Sequence, residues 1–366
     1  MASLCYILLC VAFASPCAVA QSSWPPLSTS GTCDNSISGL LVQMFSSDSA
    51  FSTVVMNAIS FVNSTFICKT DCEDAAQTAT IKVYLFYGPK NTDYQVETLE
   101  NMNKLFTGGH WNKTRNTTCF FPGWLKTALS ANYSLRFVDA YLANDTYNVL
   151  VVEWPTQQEY VGLVCQMPYL ATRLAKALDN FSLASGGDVS TMIFVGHSLG
   201  AHLCGYTARL LAALKITFLA ALDPAGPLFS VPWRCQFGVG ANDAEVVVSL
   251  HTDAGRFGSA TDVGIADYYA NNGTAIQPGC TAFDTNPAQC ANQFLCSHVQ
   301  ALFYWCEAIS RPGSVIGRFC PSSSAYTAGM CSDYVTNDIT VPPSTVGHLY
   351  FTTNAEAPFG KGINGA

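Results

Sequence analysis

Charged side chains are scarce in this 366-residue chain. Asp, Glu, Lys and Arg supply only 11% of it, and 17 basic residues face 25 acidic ones for a net charge of −8. So few cations leave no face able to neutralise a run of phosphates, which argues against nucleic acid as a partner. The same shortage removes any broad attraction to anionic membranes. Long apolar runs are also lacking: beyond residue 20 no stretch is long enough and free enough of breakers to cross a bilayer. No C-x-x-C pair has zinc-finger spacing. There is neither an internal repeat nor a Pro/Ser-rich linker, so a single domain is expected over residues 21–366.

What is abundant points to export. The apolar run from Leu4 to Ala14, followed by Ala18-Val19-Ala20, reads as a signal peptide over residues 1–20. Seven N-x-S/T sequons follow, at Asn63, Asn112, Asn116, Asn132, Asn144, Asn180 and Asn272. Cysteine is plentiful, at 16. Loss of Cys5, Cys10 and Cys17 with the signal leaves 13, an odd number, so one mature thiol at least is free. Cys204, on an expected packed helix, is the candidate. A secreted, extracellular chain tied by disulfides is the expectation, with Cys68 and Cys72 able to close a small loop.

Apolar content of 49% is enough for a sizeable core. Short β-rich runs at 81–87, 118–121, 147–153, 191–195, 216–222 and 244–250 read as strands, the third nearly all apolar, as in a parallel sheet covered on both faces. Helical periodicity runs through 161–181 and 199–214, and a further helix is expected over 298–310. Strand–helix alternation predicts an α/β domain with a mostly parallel central sheet, its functional groups at the carboxyl ends of the strands.

One turn carries chemistry. Gly196-His197-Ser198-Leu199-Gly200 matches G-x-S-x-G, with an apolar strand running into it and a helix leaving it. Glycines suit a turn too tight for a Cβ, and Ser198 is left projecting at the helix N-terminus. There the N–H of Leu199 and the helix dipole can stabilise an oxyanion. A serine hydroxyl needs a base, and the histidines number six. His197 and His202 belong to the elbow and its helix, His110 precedes the nucleophile, and His348 lies in the tail. His251 reads as structural. His298, in Cys296-Ser297-His298, is the expected base. Asp223, ending an apolar strand ahead of Pro224, is the expected carboxylate that orients it.

At these residues the sequence resembles the pancreatic-lipase family of α/β hydrolases, which includes secreted phospholipases A1. The matching segments are Gly196 to His202, Leu222 to Pro227, His251 to Asp253, Pro278 to Cys280 and Cys296 to His298. The resemblance implies an α/β-hydrolase fold with a catalytic Ser198, Asp223 and His298. It also implies a second oxyanion donor at Trp124, in Phe121-Pro122-Gly123-Trp124, where Pro122 replaces the family's His. A lid closed by Cys280–Cys296, with fifteen residues between them, and a Cys320–Cys331 disulfide are implied too. Phe283, Phe294 and Leu295 are apolar groups of that lid, and Cys290 within it has no evident partner.

The chain stops without the C-terminal β-sandwich of digestive lipases, so no colipase is implied. The family's calcium acids are not evident between Phe229 and Asp243, with Asp243 the single candidate, and no cofactor or metal is expected. The implied activity is release of fatty acid from triacylglycerol or phospholipid at an interface. The alternative is a lipid-binding or storage protein on an inactive lipase scaffold, to which Pro122 lends support.

Overall fold

A computed structural model describes residues 69–143, 146–158, 160–185, 192–212, 216–230, 237–280, 287–331 and 335–366. The signal peptide, Cys68 and Phe283 lie outside these residues, as do the side chains of Cys290 and Phe294.

The strands, in chain order, are β1 Lys82–Phe86, β2 Tyr94–Thr98, β3 Asn116–Phe121, β4 Tyr147–Glu153, β5 Met192–His197, β6 Phe218–Leu222, β7 Val246–His251, β8 Ala266–Ala270, β9 Ile316–Phe319, β10 Thr336–Asp338 and β11 Gly347–Phe351. The helices are α1 Lys69–Thr78, α2 Lys104–Thr107, α3 Ser134–Leu142, α4 Tyr160–Ser185, α5 Leu199–Leu210, α6 Pro287–Ser310 and α7 Ser323–Thr327. All the strands join one sheet in the order β10-β9-β11-β8-β7-β6-β5-β3-β4-β1-β2. Its centre, from β4 through β3, β5, β6, β7 and β8 to β11, is parallel. The outer strands β1, β2, β9 and β10 pair antiparallel.

Alternation along the strands divides the core into two layers. Leu150 and Val152 of β4, Phe194 of β5, and Leu219 and Ala221 of β6 pack on the face covered by α4 and α5. Val149 and Val151, Val195, and Phe218, Ala220 and Leu222 pack on the opposite face with α3 and α6. A central strand buried on both faces is mostly apolar, which is why β4 and β6 read as near-continuous apolar runs.

Several expectations are corrected. Cys72 does not close a small local loop with Cys68. It bonds Cys165, 93 residues away, and so staples α1 to α4. Helix α5 ends at Leu210 because Leu211 turns to extended backbone, φ −61 and ψ 127. Helix α6 begins at Pro287, well ahead of His298, so part of the expected lid segment is helical. The strands β2, β8, β9, β10 and β11 carry too little alternation of their own; pairing with the existing sheet makes them strands. The Cys320–Cys331 and Cys280–Cys296 disulfides are present. Cys204 is free and buried on α5, and Cys119 and Cys306 are likewise free. Among the described residues no helix is long and apolar enough to cross a membrane.

Candidate active site

Strand β5 ends in a turn that leaves no room for side chains. A Cβ on Gly196 would lie 2.5 Å from the Ala201 Cα, and one on Gly200 would lie 2.0 Å from the carbonyl oxygen of Phe121. Between them Ser198 takes φ 58 and ψ −126, a left-handed conformation that a non-glycine residue adopts at a cost of about 1–3 kcal/mol. The surroundings hold it there: Ser198 N donates to Leu222 O at 3.1 Å, and Ala201 N donates to Ser198 O at 3.1 Å. Ser198 is buried, and Leu199 opens helix α5 directly behind it.

Asp223 follows β6 and also has positive φ, at 38°. Its N–H donates to Leu250 O at 2.7 Å. Its Oδ1 accepts N–H bonds from Thr252 at 2.9 Å and Asp253 at 3.0 Å. The other oxygen, Oδ2, accepts from Nδ1 of His298 at 2.6 Å. Gly258 allows this packing, since a Cβ there would lie 2.5 Å from either carboxylate oxygen. His298 reaches the site from α6, two residues after Cys296, which is bonded to Cys280. Neighbouring Ser297 accepts the N–H of Gln277 at 3.0 Å. Asp223 and His298 are thus in direct contact, beside the elbow that carries Ser198.

The Phe121–Trp124 segment crosses the start of α5. A Cβ on Gly123 would lie 2.9 Å from the Ser198 Cβ, which puts this peptide against the elbow. Trp154 Nε1 donates to Pro122 O at 2.9 Å, and Trp124 Nε1 donates to Gln158 O at 2.8 Å. The Trp124 indole meets the Tyr160 ring edge-on, with centroids 5.5 Å apart. Trp154, Tyr160 and Tyr133, whose hydroxyl accepts the Gly123 N–H at 2.9 Å, touch this segment, and sequence reasoning did not pick them out. Nothing local marks them, because each acts through a partner far away in the chain.

Four other histidines are engaged elsewhere. His202 stacks on Phe229 and bonds Ala225 O through Nε2. His251 is fully buried with Nε2 on Asp267 at 2.8 Å, and this carboxylate raises its pKa against the lowering effect of burial. His348 pairs with Asp262, and His110 stacks on Tyr87.

Asp243 is already satisfied. Arg209 donates to its two oxygens at 2.7 and 3.0 Å, and Gly240 N donates at 2.8 Å, so it is a poor calcium ligand.

Asp253 is the site's second carboxylate. It is fully buried, and its Oδ1 has no hydrogen-bond partner, Arg256 Nε being 3.9 Å away. Burial first, then the nearby Asp223, push its pKa up to about 7. The sequence placed Asp253 in a matching segment without assigning it a role.

A parallel sheet with a strained serine between a strand and a helix, flanked by a buried Asp–His pair, defines the α/β-hydrolase class. A family model described as Lipase matches residues 51–359, and the chain belongs to that family. Over 255 residues it is 28% identical to Lipase member H-B of Xenopus laevis, the match covering 68% of this chain and 53% of that protein. It is 28% identical over 255 residues to Phospholipase A1 member A of Pongo abelii, with the same coverages of 68% and 53%. The chain therefore spans about half the length of the curated relatives it matches. A solved α/β hydrolase from a Medee basin deep-sea metagenome library overlays 38% of this chain and 56% of its own, with a TM-score of 0.28 and 17% identity.

Proposed function

We propose that this protein is a secreted serine hydrolase that cleaves carboxylic esters of lipids. Ser198 attacks the acyl carbonyl, and His298 takes its proton and later delivers it to the departing alcohol. Asp223 holds His298 with Nδ1–H toward itself, so that Nε2 is the basic nitrogen, and stabilises the imidazolium as it forms. The N–H groups of Leu199 and Trp124 receive the oxyanion. Water then releases the fatty acid from the acyl-enzyme. The single observation that carries this reading is the buried Asp223–His298 bond beside the Ser198 elbow. An inactive scaffold would have no reason to keep both the bond and the backbone strain.

The segment closed by Cys280 and Cys296 is proposed as a lid over the site. The disulfide that closes it, two residues ahead of His298, supports this role. Export is supported by the five sequon asparagines among the described residues: Asn112, Asn116, Asn132, Asn180 and Asn272 are all exposed. A fluorophosphonate probe tests the chemistry. Covalent labelling of the folded protein that is lost in Ser198→Ala is expected, with fatty acid released from triolein or phosphatidylcholine. No labelling, together with inertness toward both lipids and short-chain esters, would make the chain a lipid carrier instead.

A further inference from the structure

The geometry points to Tyr133 and His197 as positioning residues that tie the oxyanion loop to the backbone of the catalytic histidine through one chain of hydrogen bonds. This inference rests on the ester-hydrolase reading above.

Gly123 N donates to the Tyr133 hydroxyl at 2.9 Å. That hydroxyl lies 2.6 Å from Nδ1 of His197, and Nε2 of His197 lies 2.9 Å from the carbonyl oxygen of His298. The direction of every bond follows from the chemistry of its ends. A carbonyl oxygen cannot donate, so Nε2 of His197 carries the proton. In a neutral ring Nδ1 is then the acceptor, and the Tyr133 hydroxyl must donate to it. The hydroxyl oxygen is left to receive the Gly123 N–H. All three donors point the same way, and no group in the chain competes with another.

The surroundings keep His197 neutral. Tyr133 and His197 are both buried. Burial above all, then the nearby His298, hold the His197 pKa well below its ordinary value. Burial raises that of the Tyr133 phenol, so the hydroxyl keeps its proton. The Cys306 thiol, kept neutral because burial raises its pKa, also faces Tyr133. The groups facing this chain that can carry positive charge are Lys126, whose ammonium lies 5.3 Å from the Tyr133 ring centre, and His298, whose ring is 4.6 Å from that of His197. Both oppose a cation at His197. Protonation would put hydrogens on both sides of the Tyr133 oxygen and break the chain's sense.

Sheet pairing registers β3 against β5, with Phe121 opposite Gly196, and the hydrogen-bond chain carries that register on to α3 and α6. Gly123 sits in the loop after β3, Tyr133 is the N-cap of α3, His197 ends β5, and His298 lies on α6. Pro122 sharpens the need. It has no N–H and no polar side chain, so Gly123 is the first residue of that loop that can donate a bond toward the elbow. The Gly123–Trp124 peptide must be aimed to within a fraction of an ångström for the Trp124 N–H to meet the oxyanion, and a misplacement of about 1 Å costs roughly 10²-fold in rate.

The test compares Tyr133→Phe, His197→Leu and the double variant with the wild type on a soluble p-nitrophenyl ester, with kcat counted per fluorophosphonate-titrated site. Each single variant is expected to lose about 10–100-fold in kcat with KM within about twofold. The double variant should lose no more than the worse single one, because one chain can be broken only once. A purely structural role would lower the titrated fraction and leave kcat per site unchanged. That result, or losses that multiply, overturns the inference. If Tyr133→Phe does not fold, His197→Leu is judged by the same per-site kcat. A wild type that is neither labelled nor active overturns the ester-hydrolase reading itself. An active wild type with an unaltered Tyr133→Phe overturns the positioning role alone.

Discussion

Oδ2 of Asp223 lies 2.6 Å from Nδ1 of His298, across 75 positions of sequence. An Asn at 223 would turn an N–H toward that ring and force the wrong tautomer, leaving Nε2 protonated and unable to accept from Ser198. Asp223→Asn is therefore expected to lower kcat by on the order of 10⁴-fold with the fold intact. Steady-state kinetics on a short-chain ester checks this. A loss below tenfold would move the role of orienting carboxylate away from Asp223.

Strain at Ser198 gives a stability prediction of unusual sign. With φ 58 and ψ −126, Ser198 occupies backbone that glycine accepts more readily. Ser198→Gly should abolish activity and yet gain roughly 1 kcal/mol in urea unfolding, the relief of strain exceeding glycine's extra unfolded-state entropy. A destabilised Ser198→Gly chain would show that the turn is not strained.

Gly200 predicts the reverse. Its missing Cβ would lie 2.0 Å from Phe121 O and 2.6 Å from Pro122 O, both main-chain atoms that cannot swing aside. Gly200→Ala should cost about 3 kcal/mol or more, or push the Pro122–Trp124 loop outward. Unfolding curves read the first outcome, and slowed fluorophosphonate labelling reads the second.

Asp253 makes stability depend on pH. Its carboxyl titrates near 4 in an unfolded chain and at about 7 in the folded one, so folding takes up a proton between these values. The stability this residue contributes is present below about pH 4 and is lost as pH rises toward 7. Asp253→Asn, permanently neutral, should gain Tm over the wild type by more at pH 8 than at pH 5. An equal difference at both pH values would contradict the raised pKa.

The two longer-reaching staples should differ in weight. Cys72–Cys165 spans 93 residues and Cys280–Cys296 spans 16. Loop entropy assigns about 4.7 kcal/mol to a loop of about 100 residues and about 3 kcal/mol to one of about 15. Replacing both members of the first pair by Ser should therefore destabilise the chain by roughly 1–2 kcal/mol more than replacing both members of the second. Denaturant midpoints of the two double variants decide it.

The tight turn at Ser198 was legible because its causes are local. Glycines at 196 and 200, an apolar strand before them and a periodic helix after them all sit within a few residues of Ser198. The strands β3 to β7 were legible for a similar reason: burial on both faces leaves them mostly apolar. Asp223 and His298 were picked out by position and chain order, with the resemblance in agreement. The strands from β8 to β11 were not legible, because a residue such as Tyr350 becomes part of a strand only when Arg318 and Tyr269 on either side offer it partners.

Sequence alone, then, determined the α/β alternation, the elbow and the candidate chemistry, since each follows from steric and apolar demands met within one element. Tertiary structure alone decided that Cys72 bonds Cys165, that Asp253 is buried beside Asp223, and that Tyr133 and His197 reach from Gly123 to His298. Such contacts depend on which loops settle over the carboxyl edge of the sheet, and that is set by the packing of the whole chain rather than by the residues on either side of each partner.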